Sequence, residues 1–280
     1  GKTKSTTIDE SQALAWLNNQ FENSETPPVV MYNHPSRKDL EPGENAHDMQ
    51  KWRSQTPYVI GFSGAPGHQK KRGDDNGSYN NRFKTRHGWD PAVAIPGNDW
   101  DNLLQAGLQT FAARAPSDFH NTQMDYWPCE FSTTHVYASS RRTNDLLDGF
   151  TSGNYWAQHG KFVASLSAQV HNDKGHALAH AGNVINSPRL PLTAKLTVTL
   201  NEKDWQGFKT SLDEVTAVIV TEKGVQTEVF FPDSQRRKHS FEVRLPTNAN
   251  ITAVRWFGRS IQPEQHHYQF FTNPVMIHWQ

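Results

Sequence analysis

Three candidate metal ligands stand at the ends of two apolar segments of the 280-residue chain. His34 follows the segment VVMY, and Asp118 and His120 follow the segment TFAARA. In extended backbone, side chains two residues apart lie on the same face, so Asp118 and His120 can point at one centre while Phe119 packs behind them. A carboxylate combined with imidazoles suits Zn, Mn or Fe. An ordinary Asp–His hydrogen bond at a strand end gives the same spacing, so both interpretations stay open.

Two further polar residues follow strands near these candidates and form the predicted catalytic set. Arg37 lies on the loop that follows His34, where a guanidinium could clamp a phosphate or carboxylate through its bidentate fork. His68 follows the segment YVIGF and begins a long loop rich in Gly, Asn and charge, which could act as a lid. A solvated surface position is the alternative interpretation for each.

The elements that must position these residues alternate between helix and strand from residue 8 to about residue 158. Apolar periodicity and capping residues predict helices in IDESQALAWLNNQF, AHDMQKW and NDWDNLLQAGL. Each helix precedes a strand, in VVMY, YVIGF and QTFAARA respectively. Helix–strand units in series favour a mostly parallel sheet, in which ligands gather at the C-terminal ends of the strands.

The periodicity changes to two after about residue 160. Short strands such as LTAKLTVTL, VTAVIV and SFEVRL, separated by polar turns, predict an antiparallel β-sandwich. We therefore predict an α/β domain over residues 1–160 and a β-sandwich domain over residues 161–280. The sandwich carries no catalytic constellation, and its expected role is to brace the first domain or to cover the site, with carbohydrate binding as the minority interpretation.

Composition excludes several classes of function. Lys and Arg together number 28, as do Asp and Glu, so no net charge points to nucleic acid as a partner. The single cysteine excludes an internal disulfide framework. No apolar stretch has the length of a transmembrane helix, and the sequence contains no GxSxG, Walker or GxGxxG motif.

The stretches VVMYNHPSR, WDNLLQAGLQTFAARAPSDFH and EFSTTHVYASS with LLDGFTSGNYW together resemble the C-terminal portion of the PHP (polymerase and histidinol phosphatase) superfamily. The resemblance covers about residues 25 to 160. It implies a distorted β/α barrel that holds two or three metal ions and hydrolyses a phosphoester or a related ester. By position, His34 resembles the ligand of the NHP motif, and Asp118 and His120 resemble the closing DxH pair.

The chain departs from this family at the first metal ligands. Nothing in residues 1–28 matches the HxH motif that opens PHP domains. We expect a missing N-terminal segment or a second chain to complete the barrel, with a reduced site on this chain as the alternative. The resulting fold prediction is a partial distorted β/α barrel followed by an antiparallel β-sandwich.

The predicted function is a metal-dependent hydrolase that uses Zn, Mn or Fe to activate water against a small-molecule ester or phosphoester. The alternative is a non-catalytic binding or scaffold protein that recognises carbohydrate or a partner subunit. We expect no nucleic-acid or membrane partner. The association of sandwich modules with exported enzymes favours a periplasmic or secreted location over the cytoplasm.

Overall fold

A computed structural model describes residues 9–36, 43–65, 89–123, 125–233, 235–261 and 267–280. The described residues are mostly β, with 39% in strands and 18% in helices, and their sheets do not close into a barrel. The predicted α/β class with a partial β/α barrel is therefore wrong. No helix in these ranges has the length and apolar character needed to span a bilayer.

Five helices occur in the described residues, and local capping explains where two of them begin. The Asp9 carboxylate accepts a hydrogen bond from the Ser11 amide at 3.1 Å, and the Asn98 side chain accepts one from the Asp99 amide at 2.8 Å. The helices are α1 (Glu10–Phe21), α2 (Glu44–Gln55), α3 (Pro91–Ala94), α4 (Asp99–Gln105) and α5 (Thr143–Thr151).

Fourteen strands occur in the same part of the chain and form three sheets. They are β1 (Val30–Asn33), β2 (Val59–Ser63), β3 (Ser132–Val136), β4 (Tyr155–His159), β5 (Val163–Asn172), β6 (Ala177–His180), β7 (Val184–Ser187), β8 (Leu192–Leu200), β9 (Glu214–Thr221), β10 (Gly224–Phe230), β11 (Lys238–Arg244), β12 (Ile251–Ile261), β13 (His267–Thr272) and β14 (Val275–Trp279).

The largest sheet has eight strands and forms the central layer. Its main order is β10-β9-β12-β13-β4-β3; β14 pairs with β12, and β7 pairs with β14 in parallel. Strands β3 and β4, which precede residue 160, are thus antiparallel partners in the same sheet as the C-terminal strands. A four-stranded antiparallel sheet, in the order β11-β8-β5-β6, covers one face of this layer.

Side chains of the central sheet alternate between two separate apolar cores. In β9, Val215, Ala217 and Ile219 pack towards the four-stranded sheet. Val218 and Val220 pack on the opposite face, against the helices and the small parallel sheet. Because both faces are buried, β9 is an almost continuous apolar run, as expected for a strand covered on both sides. The described chain therefore has three layers.

The third layer contains the short parallel sheet of β1 and β2, extended by residues 110–115, which we call the parallel segment. Phe62 donates to the Phe111 carbonyl and Phe111 donates to the Ile60 carbonyl, each at 3.0 Å. A side chain at Gly61 would bring a Cβ within 1.7 Å of the Phe111 carbonyl oxygen, so this approach requires glycine.

The barrel prediction is wrong because, among the described residues, the small parallel sheet does not extend beyond the parallel segment. Only Phe111 in the predicted strand QTFAARA forms a β-bridge, which is with Gly61, and the next strand joins the antiparallel sheet. The helix–strand periodicity resembled serial βαβ units, but periodicity does not specify which partner a strand pairs with.

Candidate functional site

The candidate site lies where β1 and the parallel segment end. His34 follows the last residue of β1, and Asp118 and His120 follow the end of the parallel segment. Both stretches run in parallel with β2, so their C-terminal ends lie at the same edge of the small sheet. This arrangement brings together three residues that are distant in sequence, as the strand-end pattern predicts.

Asp118 lies between the two imidazoles. Its Oδ2 is 3.4 Å from His34 Nε2, and its Oδ1 is 3.2 Å from His120 Nε2. The Asp118 and His34 side chains are largely buried, with 13% and 17% of their surfaces exposed, whereas that of His120 is 68% exposed. The site is therefore open to solvent on the His120 side.

Two of the three residues adopt a backbone conformation that is costly for non-glycine residues. The φ angle is 45° at His34 and 47° at Asp118, both in the left-handed region. Such conformations cost on the order of 1 kcal/mol or more and often occur at functional sites. The turns that present the imidazole and the carboxylate are thus locally unfavourable, and the surrounding structure must hold them.

The donor types at this site suit a divalent metal ion, but the three side chains do not form a ligand group as they lie. Two ligand atoms that bind one tetrahedral zinc ion at about 2.0–2.1 Å lie about 3.3 Å apart. The two Asp118–imidazole distances, 3.2 and 3.4 Å, are close to this value. Each imidazole faces a different carboxylate oxygen, and within the described ranges no three or more His, Cys, Asp and Glu side chains form a group that could hold an ion.

A buried carboxylate anchors the loop that carries His34. Asp90 accepts hydrogen bonds from the Ser36 hydroxyl at 2.6 Å, the Ser36 amide at 3.1 Å and the Ala92 amide at 2.9 Å. Burial raises the pKa of Asp90 from 3.8 to about 6, although these hydrogen bonds lower it. Asp90 therefore fixes the turn after His34 from the interior.

The parallel segment is held by side chains of β3 and of the turn between β13 and β14. The side-chain oxygen Oδ1 of Asn273 accepts hydrogen bonds from the Ala112 and Ala113 amides, each at 3.0 Å. Ala115 donates to the Thr134 hydroxyl at 3.0 Å. The backbone that leads to Asp118 is thus attached to the central sheet.

Residues 118–123 and 125–130, which we call the site loop, fold back on themselves. The Asp125 carboxylate accepts from the backbone amides of His120 and Asn121, at 2.8 and 2.7 Å. The Glu130 carboxylate accepts from the Trp127 amide at 2.7 Å. Asp125 thus fixes the backbone of His120 itself.

The predicted catalytic residues Arg37 and His68 lie outside the described residues. His135 lies on β3, and its ring stacks on Trp156, with centroids 4.0 Å apart and a 4° interplanar angle. Burial lowers the pKa of His135. His135 is thus a packing residue of the central sheet.

Sequence reasoning missed three residues that shape the site: Asp90, Asn273 and Trp127. Asp90 stands before a proline at the start of α3, which is a capping position, but that pattern does not reveal its bonds to Ser36. Asn273 is 161 residues from Ala112 in sequence, and no local signal could have indicated its partners.

No protein-family model matches the chain, and a search of curated proteins finds no similar one. The functional assignment therefore depends on the geometry of the site.

Proposed function

We propose that the protein is a metal-dependent hydrolase acting on a phosphoester or a related ester. The observation that supports this proposal best is the convergence of His34, Asp118 and His120 at one edge of the small parallel sheet, where Asp118 lies within 3.4 Å of both imidazoles. The resemblance to the PHP superfamily stays a prediction consistent with this proposal.

In this proposal Asp118 holds the ion together with the two imidazoles. Such an ion, Zn, Mn or Fe, would supply a water of lowered pKa as the nucleophile and would stabilise the charge that develops on the ester oxygens. Asp90 keeps the His34 turn in place from the interior. His120, the most exposed of the three, lies on the side from which a substrate can approach.

Metal analysis of the purified chain tests the proposal. The protein is stripped with a chelator, reloaded with Zn or Mn, desalted and measured by inductively coupled plasma mass spectrometry. We expect near-stoichiometric metal in the wild type and loss of most of it in Asp118→Ala/His120→Ala. The hydrolysis of bis(p-nitrophenyl) phosphate and p-nitrophenyl acetate should decrease in parallel.

The chain offers a matched control pair with the same residue types and spacing. His171, half-buried near the end of β5, and Asp173, exposed directly after it, lie away from the parallel sheet. His171→Ala/Asp173→Ala should keep both metal and activity. Equal metal content in the wild type and the Asp118/His120 variant would contradict the proposal and favour a non-catalytic binding protein.

A further inference from the structure

The site loop holds a tryptophan next to the candidate ligands. The Trp127 backbone is fixed at this point, because its amide donates to the Glu130 carboxylate and its carbonyl accepts from the Glu130 amide at 2.9 Å. The other end of the loop is fixed where Asp125 binds the His120 and Asn121 amides. The position of Trp127 is therefore set by the loop that presents His120.

The Trp127 ring stacks on Phe119, the residue between the two ligands of the DxH pair. The ring centroids are 4.9 Å apart and the planes differ by 26°. Trp127 nevertheless keeps 50% of its surface exposed. One side of the indole is thus supported by Phe119, while a large apolar area faces solvent beside the site.

We propose that Trp127 is a stacking platform for an aromatic ring of the substrate, so that the preferred substrates are aryl esters or aryl phosphoesters. This inference rests on the proposed function, because the ester bond is placed at Asp118 and His120. Phe119 and Trp127 already form an offset stack, and a third aromatic ring continues it at a favourable distance. The stack is fixed before binding, so little side-chain freedom is lost.

Binding of non-hydrolysable phosphonates to the zinc-loaded protein tests the platform. We expect benzylphosphonate to bind about tenfold more tightly than methylphosphonate, the ratio that one well-formed ring stack provides. Trp127→Leu should abolish this preference and leave methylphosphonate affinity unchanged. Trp127→Phe, which keeps a ring, should retain most of it.

Two controls make the result specific. Trp16→Leu removes another exposed tryptophan, from α1, and should leave the preference intact. Cyclohexylmethylphosphonate has similar bulk without an aromatic ring and should bind more weakly than benzylphosphonate. Equal affinity of these two ligands, or a benzyl preference that survives Trp127→Leu, would overturn the proposal.

A second measurement separates this inference from the proposed function. Labelling with 5-fluorotryptophan places a ¹⁹F probe at each of the nine tryptophans, and the Trp127 resonance is identified by its loss in Trp127→Phe. Benzyl alcohol should shift this resonance in the metal-free protein. A shift without any metal binding or hydrolysis would reject the hydrolase but keep the platform. Hydrolysis without a shift would reject the platform alone.

Discussion

At the scale of single residues, the buried carboxylate of Asp90 links the protein interior to the turn of His34. Asp90 is fully buried and binds both the hydroxyl and the amide of Ser36. Removing a carboxylate charge from water is unfavourable, which raises the pKa of this group to about 6. The folded protein therefore retains the Asp90 proton at pH values where the unfolded chain has released it.

This difference predicts a specific pH dependence of stability. As the pH rises from about 4 to about 6, the wild-type free energy of unfolding should lose up to about 3 kcal/mol from Asp90, since the unfolded state binds fewer protons in this window. Asp90→Asn cannot ionise, so its stability should vary less over the same range. Urea denaturation at several pH values measures how the free energy of unfolding changes with pH in the wild type and in Asp90→Asn.

The change of the free energy of unfolding with pH is the relevant observable. Asp90→Asn also replaces an acceptor of the Ser36 amide with a donor and should lower stability at every pH. Asp173→Asn, at an exposed position, should leave the wild-type slope unchanged. Identical slopes in the wild type and Asp90→Asn would show that the Asp90 carboxyl does not carry the proposed protonation difference.

At the scale of elements, the turn between β13 and β14 organises the parallel segment. Asn273 uses all four of its hydrogen-bonding positions: two amides donate to its oxygen, and its nitrogen donates to the carbonyls of Gly153 and Tyr155, at 3.0 and 3.2 Å. This one side chain joins the segment before Asp118 to β4 and to the end of α5.

Asn273→Ala should destabilise the protein by about 3 kcal/mol or more, because several buried backbone groups lose their partner together. Hydrogen exchange should accelerate at the Ala112 and Ala113 amides, and zinc affinity at Asp118 should decrease. Asn248→Ala, at an exposed position, is the matched control and should change neither quantity. Unchanged exchange at the two alanine amides in Asn273→Ala would contradict this role of the turn.

The same elements illustrate what could be predicted from sequence. Capping is a local signal, and helices α1 and α4 begin directly after the capping residues Asp9 and Asn98. His34 and Asp118 could be named as candidates because each follows an apolar segment, but their meeting depends on the pairing of both segments with β2. Strand partners are a non-local property, so the sequence could not show that β3 and β4 pair in the central sheet.

At the scale of the whole molecule, a buried ion pair joins the helical layer to the central sheet. Arg255 on β12 donates two hydrogen bonds to Asp101 on α4, at 2.7 and 2.8 Å, and both side chains are fully buried. The guanidinium also lies 4.5 Å from the ring centroid of Trp100. The ion pair connects residues on either side of the domain boundary predicted near Gly160. That boundary stays a prediction.

The two parts should therefore unfold together. We expect a single cooperative transition in the wild type when unfolding is followed by far-ultraviolet circular dichroism and by tryptophan fluorescence.

Asp101→Ala should cost about 3–5 kcal/mol, because it leaves the Arg255 charge buried without its partner. Asp101→Leu/Arg255→Met should cost much less than the sum of the two single replacements. The exposed pair Lys195–Glu242 is the control, and its coupling should stay below about 1 kcal/mol. Two separate transitions in the wild type, with Asp101→Ala shifting only one, would instead indicate domains that fold independently on either side of Gly160.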